Sequence, residues 1–190
     1  MRKIILLSIG ACIILSCSPK TEKKEAVFPS NSPKSGKVQN AQKEQNTVAF
    51  VPKVTTATFD QIQKLYKKKS DTVYVTNYWA TWCPPCVEEM PGFVMLQNEY
   101  QNFKVKFIFV SLDDLNTRES DVLPFAARHQ MKNVYQLASS SEAKKIGSLI
   151  PQWEGAIPVT IIQKGKYSEN LIGGQSPDFL IQLIGEYLKK

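Results

Sequence analysis

The sequence predicts an α/β domain in which a mixed central sheet is flanked by helices. Two segments, residues 73–80 and 105–112, are almost continuous runs of β-branched, aromatic and other apolar residues, as is typical of strands buried on both faces. Segments with apolar residues at helical spacing lie between the predicted strands. Because strand and helix patterns alternate along the chain, we expect a parallel or mixed sheet with helices on both faces.

The element order follows from the same patterns. A leading helix is indicated by Phe59, Ile62, Leu65 and Tyr66, which fall at helical spacing. Five strands are predicted at 73–80, 105–112, 133–137, 157–163 and 167–172. Four further helices are predicted at 84–100, 119–130, 142–149 and 176–190. Ser176 is the expected N-cap of the last helix, with Pro177 at its first position.

The charge distribution argues against a nucleic-acid partner. The formal net charge is +7, but residues 1–50 hold 8 Lys/Arg against 3 Asp/Glu, whereas residues 51–190 hold 16 against 14. The folded part therefore has a net charge of only +2 and shows no basic stretch interleaved with aromatic residues, which nucleic-acid binding would require.

The N-terminus has the pattern of a secretory signal. Arg2 and Lys3 precede an apolar run over residues 4–15, which is shorter than the roughly 20 residues needed to cross a bilayer. The run ends in Ile14-Leu15-Ser16-Cys17, which resembles the lipobox of bacterial lipoproteins. That resemblance implies cleavage before Cys17 and attachment of lipid to its thiol. Cys12 is a second lipidation candidate with a shorter apolar run before it, and an uncleaved anchor is the alternative.

These features predict three parts of the chain and its location in the cell. Residues 1–16 are the signal peptide, residues 17–50 are the lipidated cysteine and a flexible tether, and residues 51–190 are the folded domain. The tether segment is rich in Ser, Pro, Lys, Gln and Asn, a composition that buries too little apolar surface to fold. The protein is then anchored by acyl chains outside the cytoplasm, on the periplasmic side, where disulfides persist.

The strongest chemical signal is Cys83-Pro84-Pro85-Cys86, which follows a predicted strand and opens a predicted helix. Such a pair is also half of a zinc site, but zinc needs four ligands, and only Cys17 and His129 remain as soft partners. No metal is therefore expected. A purely structural bridge is disfavoured because it closes too small a loop to constrain the unfolded chain. The spacing favours redox chemistry.

The start of a helix suits a reactive thiolate. Unpaired N–H groups and the positive end of the helix dipole lower the pKa of a cysteine there. We expect Cys83, at the helix start, to be the more exposed sulfur and the attacking one, and Cys86, within the first turn, to be more buried. Pro84 and Pro85 remove two N–H donors, so the thiolate is less stabilised, which favours a reducing role.

The run Trp82-Cys83-Pro84-Pro85-Cys86 after Tyr78-Trp79-Ala80 resembles the active site of the thioredoxin superfamily. The lipoprotein-like signal and the long insert between Leu112 and Ser139 are most similar to its extracytoplasmic TlpA/ResA-like branch. The resemblance covers roughly residues 50–190. It implies a thioredoxin-like fold with an insert of that kind, thiol–disulfide oxidoreductase activity, and no cofactor.

The resemblance also implies roles for individual residues. Pro158 matches the cis-proline of the superfamily, and the residue before it, Ile157, offers backbone hydrogen bonds to a bound substrate. Glu89, three residues after Cys86, matches a glutamate that tunes the cysteines. Asn77 replaces the buried aspartate of cytosolic thioredoxins, which leaves proton transfer to Glu89 or water.

The candidate substrate-binding residues are Trp82, Pro84, Pro85, Ile157 and Pro158. Trp79 and Trp153 either flank the same groove or pack around the active-site turn.

The predicted function is protein-disulfide reduction, with disulfide-containing proteins as substrates. Cys83 attacks, Cys86 resolves and Glu89 assists proton movement, and a membrane thiol donor re-reduces the pair. By resemblance, the heme-binding cysteines of apocytochrome c are candidate substrates. Two alternatives stay open: an oxidase or isomerase with the same residues, and a lipoprotein whose partner binding depends on the redox state without turnover.

Overall fold

The computed structural model describes residues 50–66, 70–151 and 153–190. The predicted signal peptide, lipidation site and tether therefore lie outside the described residues, apart from residue 50. The strands are β1 (Val54–Ala57), β2 (Val73–Trp79), β3 (Val105–Ser111), β4 (Val134–Leu137), β5 (Val159–Lys164) and β6 (Tyr167–Ile172). The α-helices are α1 (Phe59–Gln63), α2 (Pro84–Glu99), α3 (Leu123–Arg128), α4 (Ser140–Lys144) and α5 (Pro177–Lys189).

The six strands form one mixed sheet in the order β1-β4-β3-β2-β5-β6. β1, β4, β3 and β2 run parallel, while β5 is antiparallel to β2 and β6 to β5. In the β2–β5 register Asn77 lies directly opposite Thr160. This arrangement confirms the predicted α/β fold with a mixed sheet flanked by helices.

Strand β2 lies in the middle of the sheet, and all seven of its residues are buried. Successive side chains point to opposite faces, so Val75, Asn77 and Trp79 share one face and Tyr74 and Tyr78 share the other. The first face packs into a core cluster with α2 and α5, and the second into a cluster with α1. β2 thus fixes the position of the segment that follows it from both sides.

The first element of the domain corrects the sequence analysis. The structure begins with strand β1, whereas the pattern predicted a helix first, and the helix itself is limited to Phe59–Gln63. β1 has only four residues and two of them are exposed, so it carries no apolar alternation. It is a strand because it pairs with β4, eighty residues later in the chain, which local sequence does not reveal.

The predicted helix at 119–130 is also corrected. The segment is a π-helical turn at Arg118–Val122 followed by α3, and a 3₁₀ turn at Leu115–Thr117 precedes it. Pro124 stands at the start of α3 and has no N–H to donate, so the regular α-helical ladder cannot run through this point. The insert is therefore built of short, irregular turns.

Of the helices in the part of the chain that the structure describes, none combines the length and apolar character that a membrane crossing requires.

Candidate active site

The Cys-x-x-Cys motif lies where β2 ends and α2 begins, as predicted. Cys83 is the N-cap of α2, and Pro84 and Pro85 occupy its first positions. Cys83 and Cys86 are joined by a disulfide, with their Cα atoms 5.3 Å apart. Because prolines lack the N–H that a first helical turn leaves unpaired, they fit this position without loss of a helical hydrogen bond.

Burial of the two sulfurs differs less than predicted. Cys86 is fully buried and Cys83 is only 4% exposed, so Cys83 is the more accessible cysteine by a small margin but is not an exposed one. Its side chain packs into the core cluster below β2 and against the partly buried Ile157. In contrast, the side chain of Trp82, which directly precedes Cys83 in the chain, is 65% exposed.

The loop before β5 covers one side of the disulfide. The Cys83 Sγ lies 3.7 Å from the Ile157 carbonyl oxygen, a contact rather than a hydrogen bond because a disulfide sulfur carries no proton. The peptide bond between Ile157 and Pro158 is cis, the conformation that the resemblance implied, and Pro158 is buried. Ile157 is thus in contact with Cys83 and Pro158 follows Ile157 in the chain, while the role of both in substrate binding stays a prediction.

Asp113 anchors the turn that precedes the disulfide, and the sequence analysis did not identify it. It is 4% exposed and lies just beyond the end of β3. Its carboxylate accepts from the Thr81 N–H at 3.1 and 3.2 Å, from the Thr81 hydroxyl at 2.5 Å and from the Ser111 hydroxyl at 2.7 Å. Asp113 therefore holds the backbone two residues before Cys83.

Glu89 lies on the other side of the motif, on α2. Its Oε1 accepts from the Asn77 side-chain amide at 2.7 Å and its Oε2 from the Gln175 N–H at 2.8 Å. The carboxylate thus connects α2 to the central strand and to the segment that leads into α5. Burial raises the pKa of Glu89 to about 6, and the donors Gln175 and Asn77 lower it only in part.

Asn77 is, with the Gln175 N–H, one of the two donors that stabilise the half-buried carboxylate of Glu89. It is fully buried, and its amide N–H₂ also donates to the Thr160 hydroxyl at 3.2 Å, while its Oδ1 has no hydrogen-bond partner among the described residues. An aspartate at this position would place a second negative charge against Glu89, whereas the amide supplies a donor. The asparagine at position 77, where cytosolic thioredoxins have an aspartate, therefore avoids a repulsion between two carboxylates and gives Glu89 a hydrogen-bond donor.

Two cavities flank Trp82. One, of about 420 Å³, is also lined by Asp113, Asp121, Phe125 and Arg128, among others. The other, of about 410 Å³, is lined by apolar groups including Leu112, Ala143 and Trp153. The exposed Trp82 ring lines both cavities, and its predicted role in substrate binding stays a prediction.

The two open alternatives for Trp79 and Trp153 are now separated. Trp79 is fully buried, and its ring packs 4.8 Å from that of Phe125. It therefore supports the turn from below and does not line the groove. Trp153 is partly exposed, lines the apolar cavity with Trp82, and donates its indole N–H to the Ala156 carbonyl at 2.7 Å.

The remaining predicted residues are also placed. Pro84 and Pro85 are exposed beside the disulfide, and Pro85 lines a third cavity of about 300 Å³ with Glu88, Glu89 and Gln175. The residues that sequence reasoning missed are Asp113, Thr160 and Gln175. The sequence held one local signal for Asp113, which follows the predicted strand at 105–112 as the motif follows the predicted strand at 73–80.

Comparison with protein families and with known proteins agrees with this geometry. The family model described as Redoxin matches residues 43–150, which is more than half of the chain. The thiol-disulfide oxidoreductase ResA of Bacillus anthracis is 32% identical over 116 residues, or 60% of each chain. The sporulation thiol-disulfide oxidoreductase A of Bacillus subtilis (strain 168) is 25% identical over 108 residues, or 56% of this chain and 62% of the relative. The chain thus spans about 60% of the length of these curated relatives.

Solved structures show the same fold. A thiol:disulfide interchange protein of the thioredoxin family from Chlorobium tepidum TLS aligns with a TM-score of 0.56 and 20% identity, covering 70% of this chain and 90% of its own. A secreted thiol-disulfide isomerase from Corynebacterium glutamicum aligns with a TM-score of 0.55 and 15% identity, covering 64% and 73%. These comparisons confirm the predicted thioredoxin-like fold and the resemblance to the ResA-like part of the superfamily.

Proposed function

The chain belongs to the Redoxin family, and from that premise and the geometry of its disulfide we propose that it is a thiol–disulfide oxidoreductase that reduces protein disulfides. The observation that carries the proposal is the Cys83–Cys86 disulfide at the N-terminus of α2, with Cys83 against the Ile157 carbonyl and beside the exposed Trp82. The relatives ResA and sporulation thiol-disulfide oxidoreductase A, which are named for this activity, support it.

The reaction proceeds in two exchange steps. In the reduced enzyme the Cys83 thiolate attacks one sulfur of a substrate disulfide, forming a Cys83–substrate bond and releasing the other substrate sulfur as a thiolate. The Cys86 thiolate then attacks the Cys83 Sγ, which breaks the mixed disulfide and frees the second substrate thiolate. The substrate gains two electrons, the enzyme loses two, and the Cys83–Cys86 disulfide is the product state.

Glu89 is the proposed proton acceptor in the second step. Cys86 is fully buried and must lose a proton before it attacks, and Glu89 follows it by three residues on the same helix. With its pKa raised to about 6 by burial, Glu89 is mostly ionised at pH 7 and close enough in pKa to a thiol to exchange protons with it.

The reducing direction is supported by Pro84 and Pro85. Neither residue offers an N–H to a Cys83 thiolate, so the reduced state gains less stabilisation than a helix N-terminus otherwise provides. A membrane thiol donor would then return the disulfide to the dithiol. No cofactor enters either step.

We further propose an extracytoplasmic location with a lipid anchor on Cys17. The lipobox-like run ending at Cys17 supports the anchor, and similarity to the ResA-type relatives supports the location. Proteins that carry accessible disulfides are the proposed substrates. Apocytochrome c, with its pair of heme-binding cysteines, is one candidate that the family resemblance supplies.

The experiment that tests the direction is the reduction potential of the Cys83–Cys86 pair in the full-length protein. The protein is equilibrated with thiol buffers and alkylated, and peptide mapping separates these two cysteines from Cys12 and Cys17. A value near that of thioredoxin, about −270 mV, supports a reductase, whereas a value near that of DsbA, about −120 mV, makes the protein an oxidase. A pair that shows no reversible couple overturns the enzyme proposal and leaves redox-dependent binding as the function.

A trapping experiment tests the roles of the two cysteines. Cys86→Ser should accumulate a mixed disulfide with an oxidised protein substrate, because the resolving sulfur is absent. Cys83→Ser is the matched control and should trap nothing and lose all reductase turnover. Trapping by Cys83→Ser instead would reverse the assigned roles.

A further inference from the structure

The end of the sheet opposite the disulfide carries a cluster of lysines. We call this surface the basic end and define it by Lys104, Lys164, Lys166 and Lys190 with the carboxylate of Asp71. Lys104 directly precedes β3, Lys164 ends β5, and Lys166 lies in the turn between β5 and β6. Lys190 follows α5. The sheet and the end of α5 therefore bring the four lysines together, and their order in the chain does not.

The members of the basic end are linked by contacts. The Asp71 carboxylate pairs with the Lys104 ammonium at 2.5 Å and with the Lys164 ammonium at 2.9 Å. The ammonium groups of Lys166 and Lys190 lie 5.4 and 5.3 Å from the centre of the Tyr167 ring. Asp71 thus pairs with two of the four lysines, and Glu169 faces the Tyr187 ring, over which the Lys190 ammonium lies at 3.6 Å. The four ammonium groups still outnumber these two carboxylates.

Aromatic side chains accompany these lysines on the surface. Phe103, next to Lys104, is 60% exposed, and Tyr167 is 42% exposed. Lysines together with exposed aromatic rings are the combination that proteins use at the interface of a bilayer, where the charge meets lipid phosphate and the ring enters the headgroup layer.

The opposite end of the molecule has the opposite sign. The cavity of about 420 Å³ beside Trp82 is lined by Asp113, Asp114 and Asp121 and by one cation, Arg128. β2 runs from Val73, near Asp71, to Trp79, near the disulfide, which places the two ends about 20 Å apart at about 3.3 Å per residue. The other cavity beside Trp82 adds Lys144 and Glu154, so carboxylates outnumber cations around Trp82, whereas lysines outnumber carboxylates at the basic end. An anionic surface therefore attracts the basic end more strongly.

We propose that the basic end docks on an anionic lipid surface, so that the Cys83–Cys86 disulfide faces away from the membrane. The surface recognised is a bilayer that contains anionic phospholipid. The docking uses charge and exposed aromatic rings, so it is independent of the redox chemistry and survives if the proposed function fails. Residues 67–69, which are also lysines in the sequence, lie outside the described residues and are not part of the proposed surface.

The test compares two triple variants of the full-length protein in vesicle co-sedimentation. The first, Lys104→Gln, Lys166→Gln and Lys190→Gln, removes three charges from the basic end and leaves the buried Lys164 in place. The control, Lys53→Gln, Lys132→Gln and Lys144→Gln, removes the same charge from exposed lysines elsewhere. Vesicles contain one part phosphatidylglycerol to three parts phosphatidylcholine, or phosphatidylcholine alone. The ratio of the two partition coefficients reports the electrostatic part of binding, to which the basic N-terminal segment contributes equally in the unmodified protein and in both variants.

Each lysine at an anionic surface contributes about fivefold in affinity, so the first triple variant should lower the ratio by at least about tenfold and the control by less than about twofold. The ratio for the unmodified protein should fall toward one as salt is raised well above physiological strength. Equal losses in the two variants would show a response to net charge alone and overturn the proposal. Saturable binding of inorganic phosphate, without preference for anionic vesicles, would also overturn it.

Orientation is measured with the protein's own tryptophans. All three lie near the disulfide end: Trp79 at the end of β2, and Trp82 and Trp153 around one cavity. Brominated phosphatidylcholine quenches tryptophans that enter the bilayer, so the bound protein should show unchanged fluorescence. Quenching on anionic vesicles would mean that the active-site end faces the lipid, which overturns the proposed orientation whatever the affinities are.

Discussion

Two carboxylates flank the Cys-x-x-Cys motif, and their surroundings differ. Asp113, on the side of the preceding turn, is almost fully buried and accepts hydrogen bonds from Thr81 and Ser111 through both of its oxygens. Glu89, on the side of the following helix, is half-buried and accepts one hydrogen bond on each oxygen, from Asn77 and Gln175. Burial raises the pKa of Glu89 to about 6.

The difference shows how a fold assigns different tasks to similar groups. A carboxylate whose oxygens are saturated by local donors serves as a fixed anchor for the backbone, because losing it leaves several donors unpaired. A carboxylate with few donors and partial burial is ionised at a cost and can exchange protons near neutral pH. Asp113 therefore holds the turn that leads to Cys83, and Glu89 is the group that we propose accepts the proton of Cys86.

Among substitutions around the two carboxylates, Asp113→Ala is expected to lower stability the most. The substitution leaves the Thr81 N–H, the Thr81 hydroxyl and the Ser111 hydroxyl without their acceptor, and should lower the free energy of unfolding by about 3 kcal/mol. Urea unfolding followed by tryptophan fluorescence measures it. Asp114→Ala is the control: Asp114 is exposed and caps a 3₁₀ turn through the Asn116 N–H, so its loss should cost about 1 kcal/mol or less. Equal costs for the two variants would contradict the anchoring role of Asp113.

Asn77→Asp tests the other side by adding a second carboxylate against Glu89. The Asn77 amide lies 2.7 Å from Glu89 Oε1, so two negative charges would meet there and raise the pKa of the pair further above the ordinary value of 4.5. A raised carboxyl pKa means that stability is present at low pH and lost as pH rises through the raised value. We expect a loss of about 2 kcal/mol at pH 8 that largely vanishes near pH 5.

The double variant Asn77→Asp, Glu89→Gln is the control for that prediction. It has one carboxylate in place of two, so it should recover most of the stability lost at high pH. A loss that is the same at pH 5 and pH 8, or that the double variant fails to recover, would show that packing and not charge is responsible.

The smallest effect is expected from Glu89→Gln. Because the folded state raises the pKa of Glu89 to about 6, the wild-type protein loses stability between about pH 4.5 and pH 6, while the variant, which stays neutral, does not. The free energy of unfolding of the variant minus that of the wild type should therefore rise by about 1 kcal/mol from pH 4 to pH 8. This value is reduced for solvent screening at a half-buried site. Glu88→Gln, the same change on an exposed neighbour, should not reproduce this gain in parallel urea titrations.

Several parts of the site were predictable because their signals are local. The run 73–80 reads as a buried strand, and the Cys-Pro-Pro-Cys motif after it reads as the start of a helix. Both were found there. Ser176 and Pro177 likewise predicted the start of α5, where the Ser176 hydroxyl accepts from the Phe179 N–H. Each of these features depends on residues within one helical turn or one strand.

The features that were missed depend on distant partners. β1 is a strand only because β4 lies beside it. The hydrogen bond between Thr81 and Asp113 spans 32 residues, and the one between Gln175 and Glu89 spans 86. The near-complete burial of Cys83 also comes from another segment, since Ile157 packs on it from the loop before β5.

The linear sequence was sufficient for the two central strands, the redox motif and its place at a strand–helix junction, since periodicity, capping and proline chemistry act over a few residues. The tertiary structure alone made Asp113 the anchor of the turn and raised the pKa of Glu89 by burial. It also set how little of Cys83 remains accessible, and it gathered lysines from separate segments at the end opposite the disulfide. These properties depend on burial and on donors brought in from remote strands, and neither exists before the sheet has assembled.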